Sequence, residues 1–252
     1  MKIGIFDISE NDIYVSSKPN VTIYFQGCPL NCIWCHNPEG KSFDIKDNRR
    51  KKTPYYPKEY TMEQIIDLIQ KYQALINPIG GYIVFSGGEP LAHFNFLIQL
   101  ADKIDTSNII LDTSGYLEPN SFVQLADKYE LYLFDIKLLD DEKHIRYTGV
   151  SNKSILQNIN YLMQKEKSLK IRIPIIPGIN DTLNAFSLLY DYLSKIDKRY
   201  KIEMLKFNGY MISKYKFLDY QLLYKQYKSV SNDFSIFQNM QASFEVLEVG
   251  NE

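Results

Sequence analysis

The sequence predicts an α/β fold, a partial (β/α)6 TIM-like barrel formed by a single domain that spans residues 1–252. Three observations predict it: six short apolar runs recur along the chain, amphipathic helical patterns lie between them, and polar or glycine-rich residues follow most of the runs. Strands that alternate with helices indicate a parallel sheet. A chain of 252 residues with six such units suits an open or partial barrel better than a complete eight-unit barrel.

The strands are predicted from runs rich in β-branched, aliphatic and aromatic residues. They are VTIYFQ (21–26), GYIVFSG (81–87), NIILDTSG (108–115), LYLFDIK (131–137), KIRIPIIPG (170–178) and KIEML (201–205). The segments between them carry apolar residues at the three-and-four spacing of a helix with one buried face. These predicted helices are residues 61–76, 94–104, 121–129, 154–166 and 185–196. The polar and basic stretch 40–60 is interpreted as an exposed loop.

Polar residues stand directly after the predicted strands, at their carboxyl ends. They are Gly27-Cys28, Ser86 to Glu89, Asp112 to Gly115, Asp135 to Lys137, and Pro177 to Asn180. In parallel α/β folds the loops at this edge converge on one crevice, which is where ligands bind. We therefore expect these residues to share one site.

Composition and charge narrow the functional classes. A hydrophobic content of 45% supports a large core, and a net charge of −1 gives no reason to expect nucleic acid or an anionic membrane as partner. The N-terminus lacks the pattern of a signal peptide, and no segment is apolar over the length of a membrane-spanning helix. We therefore expect a soluble cytoplasmic protein.

The three cysteines of the chain form one motif, Cys28-Pro-Leu-Asn-Cys32-Ile-Trp-Cys35. An odd count in so short a span does not suit a disulfide framework. Three thiolates leave one iron of a four-iron cluster open to an external ligand, which favours an iron–sulfur cluster. The alternative is a structural zinc site formed by the cysteines and His36, in a binding module without catalysis.

A second motif, Gly87-Gly88-Glu89-Pro90, follows the second predicted strand. It supplies exposed backbone polar groups and one carboxylate, which suit an α-amino group. Gly-Gly turns also occur where a chain only needs to bend. The motif therefore indicates a binding site only in combination with the cysteine triplet.

Five stretches carry a resemblance to a known family. They are YFQGCPLNCIWCHNPEG, FSGGEPL, LDTSGYLEP, FDIKLLDDEKHIRYTGVSNKSILQNI and RIPIIPGINDT, and together they span most of the chain. In them the sequence resembles the activating enzymes of glycyl radical enzymes, a branch of the radical S-adenosylmethionine (SAM) enzymes typified by pyruvate formate-lyase activating enzyme. The cysteine spacing marks the superfamily, whereas the CHNPE continuation and the stretch DIK followed by TGVSN point to this branch.

The resemblance implies a [4Fe–4S] cluster held by Cys28, Cys32 and Cys35, with SAM bound beside it. The residues that it implies for SAM binding are Gly87, Gly88, Glu89, Asp112, Thr113, Asp135 and Asn208. Asp112 and Asp135 also match a monovalent-cation site of related activases. Lys137 and Arg172 match positions that contact SAM or the substrate backbone, and we predict them as catalytic residues; a structural ion pair is the alternative for Arg172.

The implied activity is that of an oxidoreductase. Reductive cleavage of SAM would give a 5′-deoxyadenosyl radical, which would abstract hydrogen from a glycine Cα of a partner glycyl radical enzyme. The resemblance further implies flavodoxin or ferredoxin as electron donor. A radical SAM enzyme that acts on a small molecule or a peptide is the closest alternative, because a shared fold and cofactor do not fix the substrate.

The sequence departs from the family pattern at two places. The family usually reads DGPGIR before its first strand, where this chain has Ser16 to Asn20, so contacts with the target peptide are expected to differ. The family often ends its sixth strand in a histidine, where this chain has Asn208, which cannot titrate. Because no cysteine follows Cys35, we expect one cluster and no ferredoxin-like insertion.

Overall fold

The computed structural model describes residues 1–10, 18–46, 56–207 and 211–218. These residues form one eight-stranded sheet with the order β3-β1-β2-β4-β5-β6-β7-β8. The strands are β1 (Lys2–Glu10), β2 (Asn20–Phe25), β3 (Lys58–Thr61), β4 (Tyr82–Gly87), β5 (Ile109–Thr113), β6 (Leu131–Asp135), β7 (Ser168–Ile175) and β8 (Lys201–Lys206). The helices are α1 (Met62–Ile76), α2 (Phe94–Ala101), α3 (Pro119–Ala126), α4 (Asp141–Thr148), α5 (Lys153–Gln164), α6 (Leu183–Leu193) and α7 (Met211–Leu218).

The predicted α/β architecture is confirmed. The six predicted strands are β2 and β4 to β8, and each pairs in parallel with the next. The five predicted helices are α1, α2, α3, α5 and α6. Helix α1 begins at Met62 because Thr61 is its N-cap: the Thr61 hydroxyl accepts the amide N–H of Gln64, and the Gln64 side chain accepts that of Thr61.

Four elements were not among the predicted strands and helices: β1, β3, α4 and α7. The two additional strands bring the sheet from six strands to eight. Strands β1 and β3 add an antiparallel edge to the sheet. β3 reads KEYT and has no fully buried residue, so it lacks the apolar run of a core strand. Helix α4 reads DEKHIRYT and buries only His144 and Thr148. The expectation of an exposed loop over residues 40–60 is wrong at both of its ends, because Gly40 is buried and β3 begins at Lys58. Residues 47–55 of that stretch lie outside the described residues.

The two faces of the sheet have different partners. Its outer face packs against the helices and forms the large core, in which Ile23, Phe85 and Leu111 are fully buried. Burial of each such side chain contributes about 1.5–3 kcal/mol. The inner face carries a small apolar cluster of Val84, Ile110 and Leu133.

Two residues beyond each member of that cluster, on the same face, the strands carry Ser86, Asp112 and Asp135. The polar site therefore lies directly above an apolar layer, at the carboxyl ends of the strands. No helix within the described ranges is both long and apolar enough to cross a membrane.

Candidate active site at the carboxyl ends of the strands

The cysteine loop, residues 28–41, follows β2 and carries the three thiols. Cys32 is buried, whereas Cys28 and Cys35 are half-buried. The amide N–H of Cys35 donates to the carbonyl of Cys32 at 3.3 Å, which makes a tight turn between them. The three sulfur atoms therefore belong to one compact, partly accessible segment beside the sheet edge.

Backbone hydrogen bonds hold both ends and the middle of this loop. The amide of Gly27 donates to the carbonyl of Gly40 at 2.8 Å, and that of Cys28 to Lys41 at 3.1 Å, which closes the loop at its base. In the middle, the amide of Asn31 donates to the carbonyl of Thr148 at 2.7 Å. Helix α4, which sequence patterns missed, thus fixes the loop from outside the sheet.

The electrostatics of the thiols suit a bound cluster. Burial raises the pKa of all three thiols, that of Cys32 to about 11. The charges of neighbouring thiolates further raise the pKa of Cys28 and Cys32. Lys41 and Lys137 act in the opposite direction on Cys32 and Cys35. Three crowded thiolates need several positive charges to coexist, and the irons of a cluster supply them.

The number and type of donors therefore fit a thiolate-bound cluster with one open iron. Among the described residues, no group of three or more histidine, cysteine and acidic side chains is arranged around a single metal ion. His36 packs the edge of its ring against Phe207, at 6.0 Å between centroids.

The Gly-Gly-Glu loop, residues 87–90, lies against the base of the cysteine loop. The amide of Gly88 donates to the carbonyl of Phe25 at 2.8 Å, and that of Glu89 to the carbonyl of Gly27 at 2.9 Å. Gly87 has a φ of 108°, and a Cβ at Gly88 would collide with the carbonyl oxygens of Gly27 and Gly40. Glycine is needed at both positions because the two loops touch through their backbones.

The carboxylate of Glu89 is engaged inside the protein. It accepts hydrogen bonds from the hydroxyls of Thr113 and Ser114, both at 2.5 Å, from the amide of Ser114 at 2.9 Å and from that of Leu91 at 3.2 Å. Glu89 is only 2% exposed. Burial raises the pKa of Glu89, while these hydrogen bonds oppose the shift. The side chain ties the β4 end to the β5 end.

A buried charge network lies next to these loops. Arg172 on β7 donates to Asp135 through Nε at 2.8 Å and to Asp112 through Nη2. Lys137 Nζ donates to the second oxygen of Asp135 at 3.2 Å, and the Ser86 hydroxyl donates to Asp112 at 2.7 Å. Two cations therefore balance two carboxylates.

The two carboxylates have different titration properties. Burial raises the pKa of Asp112, although Arg172 opposes the shift. Burial also acts on Asp135, but Arg172 and Lys137 outweigh it and lower the pKa of that carboxyl. The guanidinium of Arg172 lies between the two acidic side chains and, together with the ammonium of Lys137, neutralises their charge.

The structure brings most of the predicted site residues together, with one outside the described residues. The cysteine loop, the Gly-Gly-Glu loop and the charge network lie together at the carboxyl ends of the strands. This is the edge where the sequence predicted a shared site. Thr113 joins them through its hydroxyl, which donates to Glu89 and accepts the amide of Gly115 at 2.8 Å. Asn208 lies outside the described residues, as do Ser16 and Ser17 of the segment before β2.

Sequence reasoning missed several polar contacts of the site. Lys41 Nζ donates to the Asn31 side chain at 2.9 Å and to the carbonyl of Cys32 at 3.0 Å. Asn37 Nδ2 donates to the carbonyl of Gly87 at 3.4 Å. Asn37 belongs to the CHNPE stretch, whose match to the family could have marked it as a site residue.

Comparison with known proteins gives consistent matches. The sequence model of the Radical SAM superfamily matches residues 22–186. The pyruvate formate-lyase-activating enzyme of Staphylococcus epidermidis is 30% identical over 210 residues, which cover 79% of this chain and 80% of that protein. The trans-4-hydroxy-L-proline dehydratase activating enzyme of Clostridioides difficile is 27% identical, covering 82% of this chain and 83% of that protein.

Among solved structures, the crystal structure of QueE from Escherichia coli aligns with 100% of this chain and 95% of its own, with a TM-score of 0.56. The two sequences are 14% identical, so this likeness shows the fold alone.

Proposed function

We propose, because this chain belongs to the radical SAM superfamily and within it to the activating enzymes of glycyl radical enzymes, that it installs a radical on a glycine of a partner enzyme. It is an oxidoreductase that uses a [4Fe–4S] cluster and SAM. The observation that carries the proposal is the backbone contact of the Gly-Gly-Glu loop with Gly27 and Gly40, which form the base of the cysteine loop.

The chemistry belongs to the cofactors when they are bound: reductive cleavage of SAM gives methionine and a 5′-deoxyadenosyl radical, which takes hydrogen from a glycine Cα. The chain supplies geometry and charge. Cys28, Cys32 and Cys35 would hold the cluster, and the half-buried backbone of Gly87 and Gly88 would receive the SAM amino group.

The remaining predicted contacts have different degrees of support. Asp112, Thr113 and Asp135 would line the SAM site at the ends of β5 and β6, and Asn208 is proposed from the resemblance alone. Lys137 and Arg172 stay predictions as catalytic residues; their ion pairs with Asp135 support at least a positioning role. For Glu89, the four internal hydrogen bonds favour a role in shaping the loop over direct contact with SAM.

The partner is proposed as a glycyl radical enzyme, since the relatives are named as activators of pyruvate formate-lyase, choline trimethylamine-lyase and trans-4-hydroxy-L-proline dehydratase. Flavodoxin or ferredoxin is proposed as electron donor, and the cytoplasm as location. We also propose that the chain is a single domain without a ferredoxin-like insertion, because its three cysteines all lie in one loop.

Anaerobic reconstitution with iron and sulfide, followed by dithionite and SAM, tests the proposal. We expect 5′-deoxyadenosine and, with the correct partner, a glycyl doublet in the EPR spectrum. Cys32→Ala should lose the cluster and the deoxyadenosine together while the far-UV circular dichroism stays the same.

Deoxyadenosine formed without a doublet from any glycyl radical enzyme would favour the alternative, an enzyme acting on a small molecule or peptide. A preparation that binds only zinc and forms no deoxyadenosine would contradict the proposal altogether.

A further inference from the structure

Helix α7 makes polar contacts with the cysteine loop through Lys214. Lys214 Nζ donates to Glu39 Oε1 at 2.7 Å, to the carbonyl of His36 at 3.1 Å and to Asn37 Oδ1 at 3.3 Å. Three acceptors from consecutive parts of the loop therefore converge on a single ammonium group. An ammonium has three donors, so this group is fully used.

The ion pair with Glu39 lies in a buried environment. The Glu39 side chain is 1% exposed and that of Lys214 is 29% exposed. A buried carboxylate without its cationic partner is strongly unfavourable, so Glu39 depends on Lys214 to keep its position. Glu39 in turn immediately precedes Gly40, whose carbonyl closes the base of the loop.

The same helix also packs an aromatic ring beside the thiols. Tyr215 is 3% exposed and belongs to a small apolar cluster with Leu30, Cys32 and Trp34. The ammonium of Lys41 lies 5.7 Å from the centre of the Tyr215 ring. Two consecutive residues of α7 therefore contact the loop, one through its polar groups and one through its apolar surface.

Asn37 connects this contact to the Gly-Gly-Glu loop. Its Oδ1 accepts from Lys214, which directs its amide nitrogen to the other side, where Nδ2 donates to the carbonyl of Gly87 at 3.4 Å. An unpaired amide group could point either way, whereas a cation on one side selects a single orientation. A continuous set of contacts thus runs from Lys214 through Asn37 to Gly87.

We propose that Lys214 is a positioning residue that sets the separation between the cysteine loop and the Gly-Gly-Glu loop, and thereby the affinity for SAM. The inference rests on the proposed function in assigning these loops to the cluster and to SAM. Groups that orient the ligands of a cofactor are worth about 10–100-fold in binding or activity.

The first experiment compares Lys214→Met with Lys216→Met, because Lys216 is an exposed lysine of the same helix. Hydrogen exchange of the apoprotein is measured over residues 36–41 and 87–91. We expect faster exchange in both segments for Lys214→Met and no change for Lys216→Met. Unchanged exchange in Lys214→Met would overturn the inference, and this readout needs neither cluster nor SAM.

The second experiment uses Asn37→Asp, which keeps an acceptor for Lys214 and loses the donor to Gly87. In reconstituted protein of equal iron content, we expect the dissociation constant of SAM to rise about tenfold in Lys214→Met and in Asn37→Asp. Equal SAM affinity in Asn37→Asp and native protein would overturn the connection through Asn37.

The two experiments also separate this inference from the proposed function. If the native protein itself failed to bind SAM, the proposed function would be wrong, and the exchange data would still decide whether Lys214 holds both loops.

Discussion

Arg172 shows at the scale of single residues what a sequence can and cannot predict. The apolar runs placed Asp112 and Asp135 at strand ends and Arg172 within a strand, where the resemblance marked it as a site residue. That one guanidinium reaches both carboxylates depends on the adjacency of β5, β6 and β7 and on side-chain reach, which no pattern encodes. The alternative stated for Arg172 was a structural ion pair, and Arg172 does form ion pairs with Asp112 and Asp135.

Replacing Arg172 tests this arrangement. Arg172→Gln leaves two adjacent carboxylates in a buried position with only Lys137 to balance them, so we expect the free energy of unfolding to fall by about 3–5 kcal/mol in urea titrations. Arg172→Lys keeps the positive charge but not the forked geometry of the guanidinium, so its free energy of unfolding should fall by less than that of Arg172→Gln.

The same variants test the need for a cation. SAM affinity of the native protein should be equal in potassium and tetramethylammonium buffers, whereas Arg172→Gln should bind SAM better in potassium. A native protein that required potassium would contradict the balance of charges described for Arg172.

Glu89 gives a second prediction at this scale. Glu89→Gln places an amide nitrogen among donors, so at least one of the hydrogen bonds from Thr113, Ser114 and Leu91 must be lost. We expect a loss of about 1–3 kcal/mol in the free energy of unfolding, together with weaker SAM binding and unchanged iron content. A variant as stable as the native protein would show that the carboxylate is not needed to join the two strand ends.

At the scale of elements, periodicity predicted the parallel strands and the amphipathic helices but missed α4. The reason is physical: α4 is polar on nearly all sides and serves the site through backbone carbonyls, which have no sequence signature. The carbonyls of Tyr147 and Thr148 accept the amides of Ile33 and Asn31, at 3.1 and 2.7 Å. The caps of α4, Asp140 and Gly149, are signals of a helix, but its contact with the cysteine loop is visible only in the structure.

Protonation of His144 should loosen α4. Its Nδ1 donates to the carbonyl of Val150 at 2.6 Å, while Nε2 is buried and has no hydrogen-bond partner among the described residues. Burial lowers the pKa of His144 below its ordinary value of 6.5. The unfolded chain therefore binds this proton more readily, and stability is complete above pH 6.5 and falls as the pH decreases below it.

Unfolding in urea at pH 7 and pH 5 measures the effect. His144→Asn keeps a donor for Val150 but has no titrating group, so its loss of stability between the two pH values should be smaller than that of the native protein. His36 and His93 also have lowered pKa values and contribute to the total slope in both proteins. Equal slopes in the native protein and the variant would exclude a contribution of His144.

At the scale of the whole molecule, the fold was predictable because the order of strands and helices restricts the topology, and the carboxyl edge then locates the site. The antiparallel edge formed by β1 and β3 was not predicted. The sequence of β1, KIGIFDISE, carries the alternating apolar residues of a strand, whereas β3 reads KEYT and has no such run. The contacts of Lys214 could not be predicted from the sequence either, because they join residues 36–39 to a helix about 175 positions further along the chain.

The separation of the thiols from the large core predicts how the protein responds to loss of its cluster. The large core of the sheet and helices does not include the thiols, which lie with the small cluster around Leu30, Trp34 and Tyr215. Removal of iron by a chelator under anaerobic conditions should leave the far-UV circular dichroism unchanged and increase hydrogen exchange in the cysteine loop. A loss of helical signal in the apoprotein would show that the cluster supports the whole fold.

The contact between Lys214 and Glu39 also has a consequence for biosynthesis. The two residues are 175 positions apart, and a ribosome that adds about 5–20 residues per second produces Lys214 roughly 10–35 seconds after Glu39. During that interval the nascent chain exposes its three thiols before the helix that orders their loop exists. Iron and sulfide are therefore expected to enter the loop after Lys214 has left the ribosome, when the loop can take its final shape.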